Sequence, residues 1–352
     1  MRLVITVFLI VAAGAVSAFG ADDARRLQAQ EAYARWQSSG TATVEEKGLM
    51  EELLFDERVS LPNGSLDDDG GPDAFCYNWI DNQNGDTVTF DWIELCGDPE
   101  AQFGPNGDDV SMQINWSFPF PFYGVNYTSA WISTNGLITF EAANSNWLNQ
   151  CGSIDATQPL IKVHWDDLVA SQTGDCEGGM PRIKYRDFGD RLVIEWSHVW
   201  HFPQSYLDWP FTFEAILYAD GKIKMQYDTL DCGDYCNSVT VGIDVPGANG
   251  IEYICNGIPA ENELGNGRAI WFGRWLSTPG ELVIHPELND IVLHWIPVAC
   301  ATGYDVYRSP SPAVDPIPDN LIGTTTDTLF SDVGVLAGPG TPYFYIVTAN
   351  RP

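Results

Sequence analysis

The side chains best equipped for chemistry in this chain are carboxylates, and they are crowded. Asp67, Asp68, Asp69 and Asp73 fall in the run Asp67-Asp68-Asp69-Gly70-Gly71-Pro72-Asp73. Hard oxygen ligands beside glycines that permit a tight loop suit Ca²⁺, which takes about six to eight such ligands. The run lacks the closing glutamate of an EF-hand, so two readings stand: a calcium site at these four aspartates, or a solvated acidic linker. Asp81, Asp86, Asp108 and Asp109 are weaker ligand candidates. Elsewhere Asp166-Asp167 and Glu195 beside Trp196 could pair as acid and base. Glycoside cleavage needs two carboxyls roughly 5–10 Å apart across a sugar site. With 48 acids such pairs arise by chance, and a solvated turn is the expectation for Asp166-Asp167.

Trp200, Trp209 and Tyr206 flank or follow the loop-like stretch His201-Phe202-Pro203-Gln204-Ser205 and are candidate stacking platforms for a sugar, while Trp196 is expected in a core. The five histidines form no His-Glu-x-x-His pair, and no Gly-x-Ser-x-Gly elbow is present. His294, beside Leu293 and a core Trp295, is expected to face outward. Nothing here assembles an activated nucleophile, so a non-catalytic protein is expected.

Eight cysteines complete the inventory: Cys76, Cys96, Cys151, Cys176, Cys232, Cys236, Cys255 and Cys300. An even number in an exported chain favours disulfides. Short loops predict Cys76–Cys96 and Cys151–Cys176, each stabilising by roughly 3 kcal/mol. Cys232 and Cys236 can pair with each other or with Cys255. A zinc site built on Cys232 and Cys236 with His198 and His201 is the weaker alternative, because thiolates survive poorly outside the cell.

These groups must be positioned by the elements around them. Arg2, the apolar run Leu3 to Ala13 and the small residues Val16-Ser17-Ala18 form a secretory signal peptide, cut after Ala18 or Gly20. Residues 21–58 are charged and helical in period, and Thr43-Val44-Glu45-Glu46 is a capping box opening a helix that carries Leu49, Met50, Leu53 and Leu54. This segment could be a pro-segment, a partner-binding arm or a weakly packed extension. With 17 basic and 48 acidic residues the net charge is −31, which argues against nucleic acid and anionic membrane surfaces as partners. Val59 to Ile161 contains 14 acids and no base. The texture there is β: short aromatic and β-branched runs broken by Gly, Asn, Asp and Pro. Phe211 to Tyr218 and Ile223 to Tyr227 flank an Asp220-Gly221 turn and predict a hairpin, and Arg191 to Trp196 predicts another strand.

The run Ser117-Phe118-Pro119-Phe120-Pro121-Phe122-Tyr123-Gly124, then Tyr127, then Ile132-Ser133-Thr134-Asn135-Gly136-Leu137-Ile138-Thr139-Phe140, resembles the nidogen-like extracellular module and related β modules of secreted bacterial proteins. Pro159-Leu160-Ile161, Trp165-Asp166-Asp167, Ile194-Glu195-Trp196 and Val241-Gly242-Ile243 follow in the order of that resemblance. So does the upstream Gly71-Pro72-Asp73-Ala74-Phe75-Cys76-Tyr77-Asn78-Trp79-Ile80-Asp81, where Cys76 occupies a place at which glycine is expected. The resemblance spans roughly residues 66–276. Beyond Pro279-Gly280, Ile291-Val292-Leu293-His294-Trp295, Tyr304-Asp305-Val306-Tyr307-Arg308 and Leu336 to Ala349 resemble a fibronectin type III domain whose final strand is not reached by Pro352, leaving an open sheet edge.

The expectation is a mostly β protein: signal peptide 1–18, helical extension 19–61, nidogen-like β-sandwich 62–278 and a short fibronectin type III-like sandwich 279–352. The resemblances imply a secreted adhesion or protein-interaction protein at the cell surface or beyond, with an extracellular protein or glycan as partner and no membrane span. The alternative is a carbohydrate-active protein. Three Asn-x-Ser/Thr sequons, at Asn63, Asn115 and Asn126, matter only for a eukaryotic source.

Overall fold

The computed structural model describes residues 69–351 except 84–87, 152–156, 172–173, 177–178, 203–209, 231–237, 248–249, 259–263, 277, 313 and 338–341, together with Gln28, Ala32, Arg35, Thr43, Glu45 and Glu46. The signal peptide and most of the helical extension lie outside the described residues, and the extension as an element is not supported. Of its motifs, the Thr43 amide donates to Glu46 Oε2 at 2.9 Å and the Glu46 amide to Thr43 Oγ1 at 3.2 Å, a reciprocal capping pair. Residues 1–60 form a unit separate from 61–352.

The second unit is built from antiparallel strands. In chain order they begin β1 (Asp69–Gly70), β2 (Asn78–Asp81), β3 (Gln102–Phe103), β4 (Gly107–Asp108), β5 (Ser111–Phe122), β6 (Val125–Ser133), β7 (Leu137–Thr139) and β8 (Leu160–Trp165). Next come β9 (Leu168–Ala170), β10 (Arg182–Asp187), β11 (Arg191–His201), β12 (Pro210–Tyr218), β13 (Ile223–Leu230), β14 (Thr240–Asp244), β15 (Ile251–Ile254) and β16 (Arg268–Gly273). The last are β17 (Val283–Glu287), β18 (Asp290–His294), β19 (Gly303–Ser309), β20 (Leu321–Thr325), β21 (Leu329–Asp332) and β22 (Phe344–Asn350).

One sheet runs β1-β2-β16-β13-β12-β11-β10-β3, with β9 and β4 attached beside β11; a second runs β15-β14-β8-β7-β6-β5. Their facing sides share one core. Phe120, Phe122, Ile132, Ile161 and Ile243 come from the second sheet and Ile194, Trp196, Phe213, Tyr227 and Phe272 from the first. Period-two alternation produces this: on β5 every second residue from Ile114 to Phe122 is buried. The expected hairpin is present, with Leu217 opposite Ile223 and Gly221 at φ 87°, and Trp196 is fully buried.

The C-terminal residues make two three-stranded sheets, β17-β18-β21 and β20-β19-β22, around Leu293, Trp295, Tyr304, Val306 and Val347. Trp295 meets Tyr304 edge-on at 5.2 Å, and Tyr304 OH accepts the Val298 amide at 2.9 Å. His294 faces outward, as its alternation predicts.

The disulfide pairing differs from expectation. The bridges are Cys76–Cys300, Cys96–Cys176 and Cys151–Cys255. Cys76 precedes β2, whereas Cys96 lies over β11, and three strands separate β2 from β11 in the sheet. At about 4.8 Å per strand spacing that is roughly 19 Å, far beyond the ~7 Å a disulfide spans. Cys151 reaches the end of β15 in one sheet while Cys176 sits beside β10 of the other, so the second expected pair also fails. Cys232 and Cys236 lie outside the described residues. The observed bridges close loops of sequence separation 224, 80 and 104, for which the chain-entropy relation gives about 5 kcal/mol each. Cys76–Cys300 ties the sandwich covalently to the C-terminal module. Cys76 has φ 69° and Cys300 φ 63°, so the place where the resemblance expects glycine is a left-handed one.

Candidate functional site

Three polar assemblies gather the side chains with chemical potential. The first is centred on the turn Ser133-Thr134-Asn135-Gly136. Gly136 has φ 69°, and a Cβ there would lie 2.0 Å from the His164 carbonyl oxygen, so only glycine lets the turn lie against β8. Asn135, fully buried, donates through Nδ2 to Asp109 Oδ1 at 2.8 Å and to the Ser145 carbonyl at 3.0 Å, and its Oδ1 accepts the Leu168 amide at 2.9 Å. The turn thus binds together Asp109, the 141–150 segment and the start of β9. Carboxylate oxygens of Asp108, Asp109 and Asp167 approach within 4.8 Å of one another there. This oxygen-only trio is of the hard-cation type, and its Asp109 is also held by Asn135.

Next to it, Asp166 accepts Ser238 Oγ at 2.7 Å on one oxygen and meets His201 Nε2 at 3.2 Å on the other. The order is serine, aspartate, histidine. A nucleophilic relay has histidine in the middle, and this trio does not have that order. Burial works to raise the Asp166 pKa, but His201 and Ser238 outweigh it and hold the carboxyl below its ordinary range. Asp166 and Asp167 are 3% and 0% exposed, which corrects the expectation of a solvated turn. Ser238 and His201 engage the Asp166 carboxyl, and the Phe202 amide binds the Asp167 carbonyl at 2.8 Å. His164 is also buried, stacked on Phe213 at 4.9 Å with both ring nitrogens lacking a hydrogen-bond partner; burial depresses its pKa to about 4.

The second assembly is a polar row crossing the first sheet. Lys184 on β10 lies opposite Glu195 on β11, Glu195 opposite Glu214 on β12, and Glu214 opposite Gln226 on β13. An extended segment, residues 88–96, lies across these strands. Its alternate amides point down: Asp91 N–H donates to Gln226 Oε1 at 2.6 Å, Ile93 N–H to Glu214 Oε1 at 3.3 Å, and Leu95 N–H to Glu195 Oε2 at 2.7 Å. Buried amides need acceptors, and the strand carbonyls below are already used in the sheet, so the row of side chains supplies them. Leu95 fills the space over Val193 and Ile216. Burial pushes the Glu195 carboxyl up to about 8, with Glu94 adding to it against Leu95 N–H and Lys184. Burial likewise pushes Glu214 up to about 8, with Gln226 and Ile93 opposing. Two carboxyls side by side would suit acid–base work, but at 1% and 0% exposure they are closed to any substrate.

The third assembly, on the second sheet, places Lys162 Nζ 2.6 Å from Glu252 Oε1 and 3.5 Å from Asp244 Oδ2. All three side chains are at most 8% exposed.

The candidates drawn from sequence are scattered. Asp73 is 9% exposed; Oδ1 accepts the Phe75 and Tyr77 amides, each at 2.8 Å, and Oδ2 accepts Tyr123 OH at 2.8 Å. Three donors account for this carboxylate as the organiser of its loop. Asp69 has its backbone in β1, while Asp67, Asp68 and Asp86 lie outside the described residues. Asp81 is bound by Tyr253 OH at 2.6 Å and Arg268 at 2.9 Å. Trp200 is partly exposed on β11, opposite Val169 and Pro210; Tyr206 and Trp209 lie outside the described residues. Lys162, Glu214, Asp244 and Glu252 were missed. Their signal was a charged residue at a central position of an otherwise apolar strand, as in Leu160-Ile161-Lys162-Val163.

Fold and assemblies together define a disulfide-bonded antiparallel β-sandwich whose polar groups are spent largely on holding crossing segments in place. Residues 85–258 match the model of a protein family described as NIDO related. That match supports a nidogen-like module and covers the 88–96 segment, the Asn135 turn and all but one edge of the sandwich, ending before β16. Such a module, with three disulfides among the described residues, is consistent with an extracellular location and suggests protein interaction. No helix among the described residues is long and apolar enough to cross a membrane.

Proposed function

We propose that this chain is a secreted, non-catalytic interaction protein working in extracellular adhesion. The observation that carries the reading is the nidogen-like module, held by Cys76–Cys300 to a second β module. We read that second module, residues 279–352, as fibronectin type III-like; two three-stranded sheets around Trp295 and Tyr304 support this. Absence of catalysis is supported by the burial of Glu195 and Glu214 and by the order of the Ser238–Asp166–His201 contacts. The test is affinity capture from native extracellular material with the whole disulfide-bonded chain, beside a glycan array and a polysaccharide-hydrolysis assay. Saturable capture of a surface protein that is lost when the disulfides are reduced is expected. Release of reducing sugar, or binding confined to glycans, would replace this reading with the carbohydrate-active one.

A further inference from the structure

Lys162 stands on β8 directly opposite Gly242 of β14, and Gly242 is in turn opposite Glu252 of β15. Glycine in the middle of that row leaves a gap over which the lysine reaches. A Cβ at Gly242 would fall 2.6 Å from the Ile251 carbonyl and 3.0 Å from Glu252 Cγ. Asp244, two residues along β14 and opposite Leu160, sits on the same face and closes the group. Leu137, Leu160 and Trp165 cluster on this sheet, and the Trp165 ring lies 5.8 Å from Nζ. The amine and the aspartate are each 2% exposed.

An amine and two carboxylates enclosed in this way are costly to hold as ions. They also meet the requirements for forming an amide. Nζ is 3.5 Å from Asp244 Oδ2, an oxygen of the carboxyl whose carbon it would attack. Asp244 Oδ1 accepts the Val245 amide at 2.8 Å, a donor placed where an oxyanion would develop. Glu252 Oε1, 2.6 Å from Nζ, is placed to take the amine's proton.

We infer that Lys162 and Asp244 condense within the folded chain into an intramolecular isopeptide bond, with Glu252 as the proton carrier. The neutral amine attacks Cγ of the protonated Asp244 carboxyl, forming the C–N bond and placing negative charge on Oδ1 against Val245 N–H. Glu252 moves a proton from nitrogen to Oδ2. The Cγ–Oδ2 bond then breaks and one water leaves, so one amide and one water replace one amine and one acid. No oxidant or further reactant is needed. Burial raises the Asp244 carboxyl to about 6, which favours the acid form the attack requires. Lys184 provides an internal contrast: it lies 3.0 Å from both oxygens of Asp175, but that carboxylate is 34% exposed and solvated, and no bond is expected there.

The deciding experiment is the intact mass of the reduced full chain, followed by peptide mapping. The wild type should be lighter than its sequence mass by about 18 Da, one water. Trypsin should fail to cut after Lys162, and fragments should be found joined from Lys162 to Asp244. Glu252→Gln should restore the full mass with the sheet still folded by circular dichroism, and Lys162→Met should do the same. A wild type at full mass overturns the inference, as does a water loss mapped to any other pair. A bond that persists in Glu252→Gln removes the glutamate from the mechanism.

Discussion

The buried glutamates under the 88–96 segment dictate how the stability of the sandwich responds to pH. Glu195 and Glu214 have folded-state pKa values of about 8 against a reference of 4.5. Values raised on folding mean that the native state holds protons the unfolded chain releases. Stability from this pair is therefore complete below about 4.5 and lost as pH rises through about 8. The window from pH 6.5 to 8 isolates the effect. Buried His164, lowered from 6.5 to about 4, acts with opposite sign only below 6.5. Over that window linkage gives about 1.6 kcal/mol per carboxyl, or roughly 3 kcal/mol for the pair. For a unit of this size that is a fall in Tm of roughly 5 °C. Differential scanning calorimetry of the oxidised chain at three pH values reads it directly. Glu195→Gln with Glu214→Gln mimics the protonated forms, since the amide oxygens still accept the Leu95 and Ile93 amides, and should flatten the slope. A wild-type Tm that is level or rises from pH 6.5 to 8, or a slope unchanged in the double variant, would refute the reasoning.

Other outcomes follow from single contacts. His164→Phe replaces two unpartnered ring nitrogens with carbon in a stacked aromatic site, so it should leave stability unchanged or raise it by about 1–2 kcal/mol, and it should reduce acid lability between pH 6.5 and 4 in urea titrations. Gly136→Ala, at positive φ and 2.0 Å from the His164 carbonyl oxygen, should cost at least about 3 kcal/mol or prevent secretion, read as yield and Tm. Cys76→Ser with Cys300→Ser should lower stability by up to about 5 kcal/mol and should free the C-terminal module to melt at its own temperature in calorimetry.

How much of this was legible in the sequence depends on whether a residue's environment is set by its neighbours in the chain or across the sheets. The hairpin at Asp220-Gly221, the alternation of β5 and the burial of Trp196 and Trp295 are local consequences of period and turn chemistry. The disulfides are not, because sheet order β2-β16-β13-β12-β11 carries Cys76 away from Cys96. The same holds for carboxylates. Glu195 beside Trp196 looks like a potential acid in a cleft, and only the segment passing over it shows that its oxygen is an acceptor for Leu95. The partners of Asp73, the Tyr77 amide and the Tyr123 hydroxyl, cannot be placed on it from spacing alone. Glycine was informative where it was missing: the expected glycine at Cys76 reports a left-handed backbone that the cysteine has to adopt.

A sandwich whose outer faces are crossed by irregular segments must find acceptors for amides that no ladder reaches, and this chain solves the problem in the same way on both sheets. Gln226, Glu214 and Glu195 take the amides of the 88–96 segment, Gln158 takes those of Glu141 and Ala142, and Asn135 takes that of Leu168. Each carboxylate in that role commits one oxygen to a backbone hydrogen. Asp244 departs from the pattern because, while Oδ1 serves the backbone, Oδ2 turns towards the Lys162 amine. Part of the acidic excess is therefore architectural, and the place to look for bond formation is where a buried carboxyl faces a nucleophile instead of an amide.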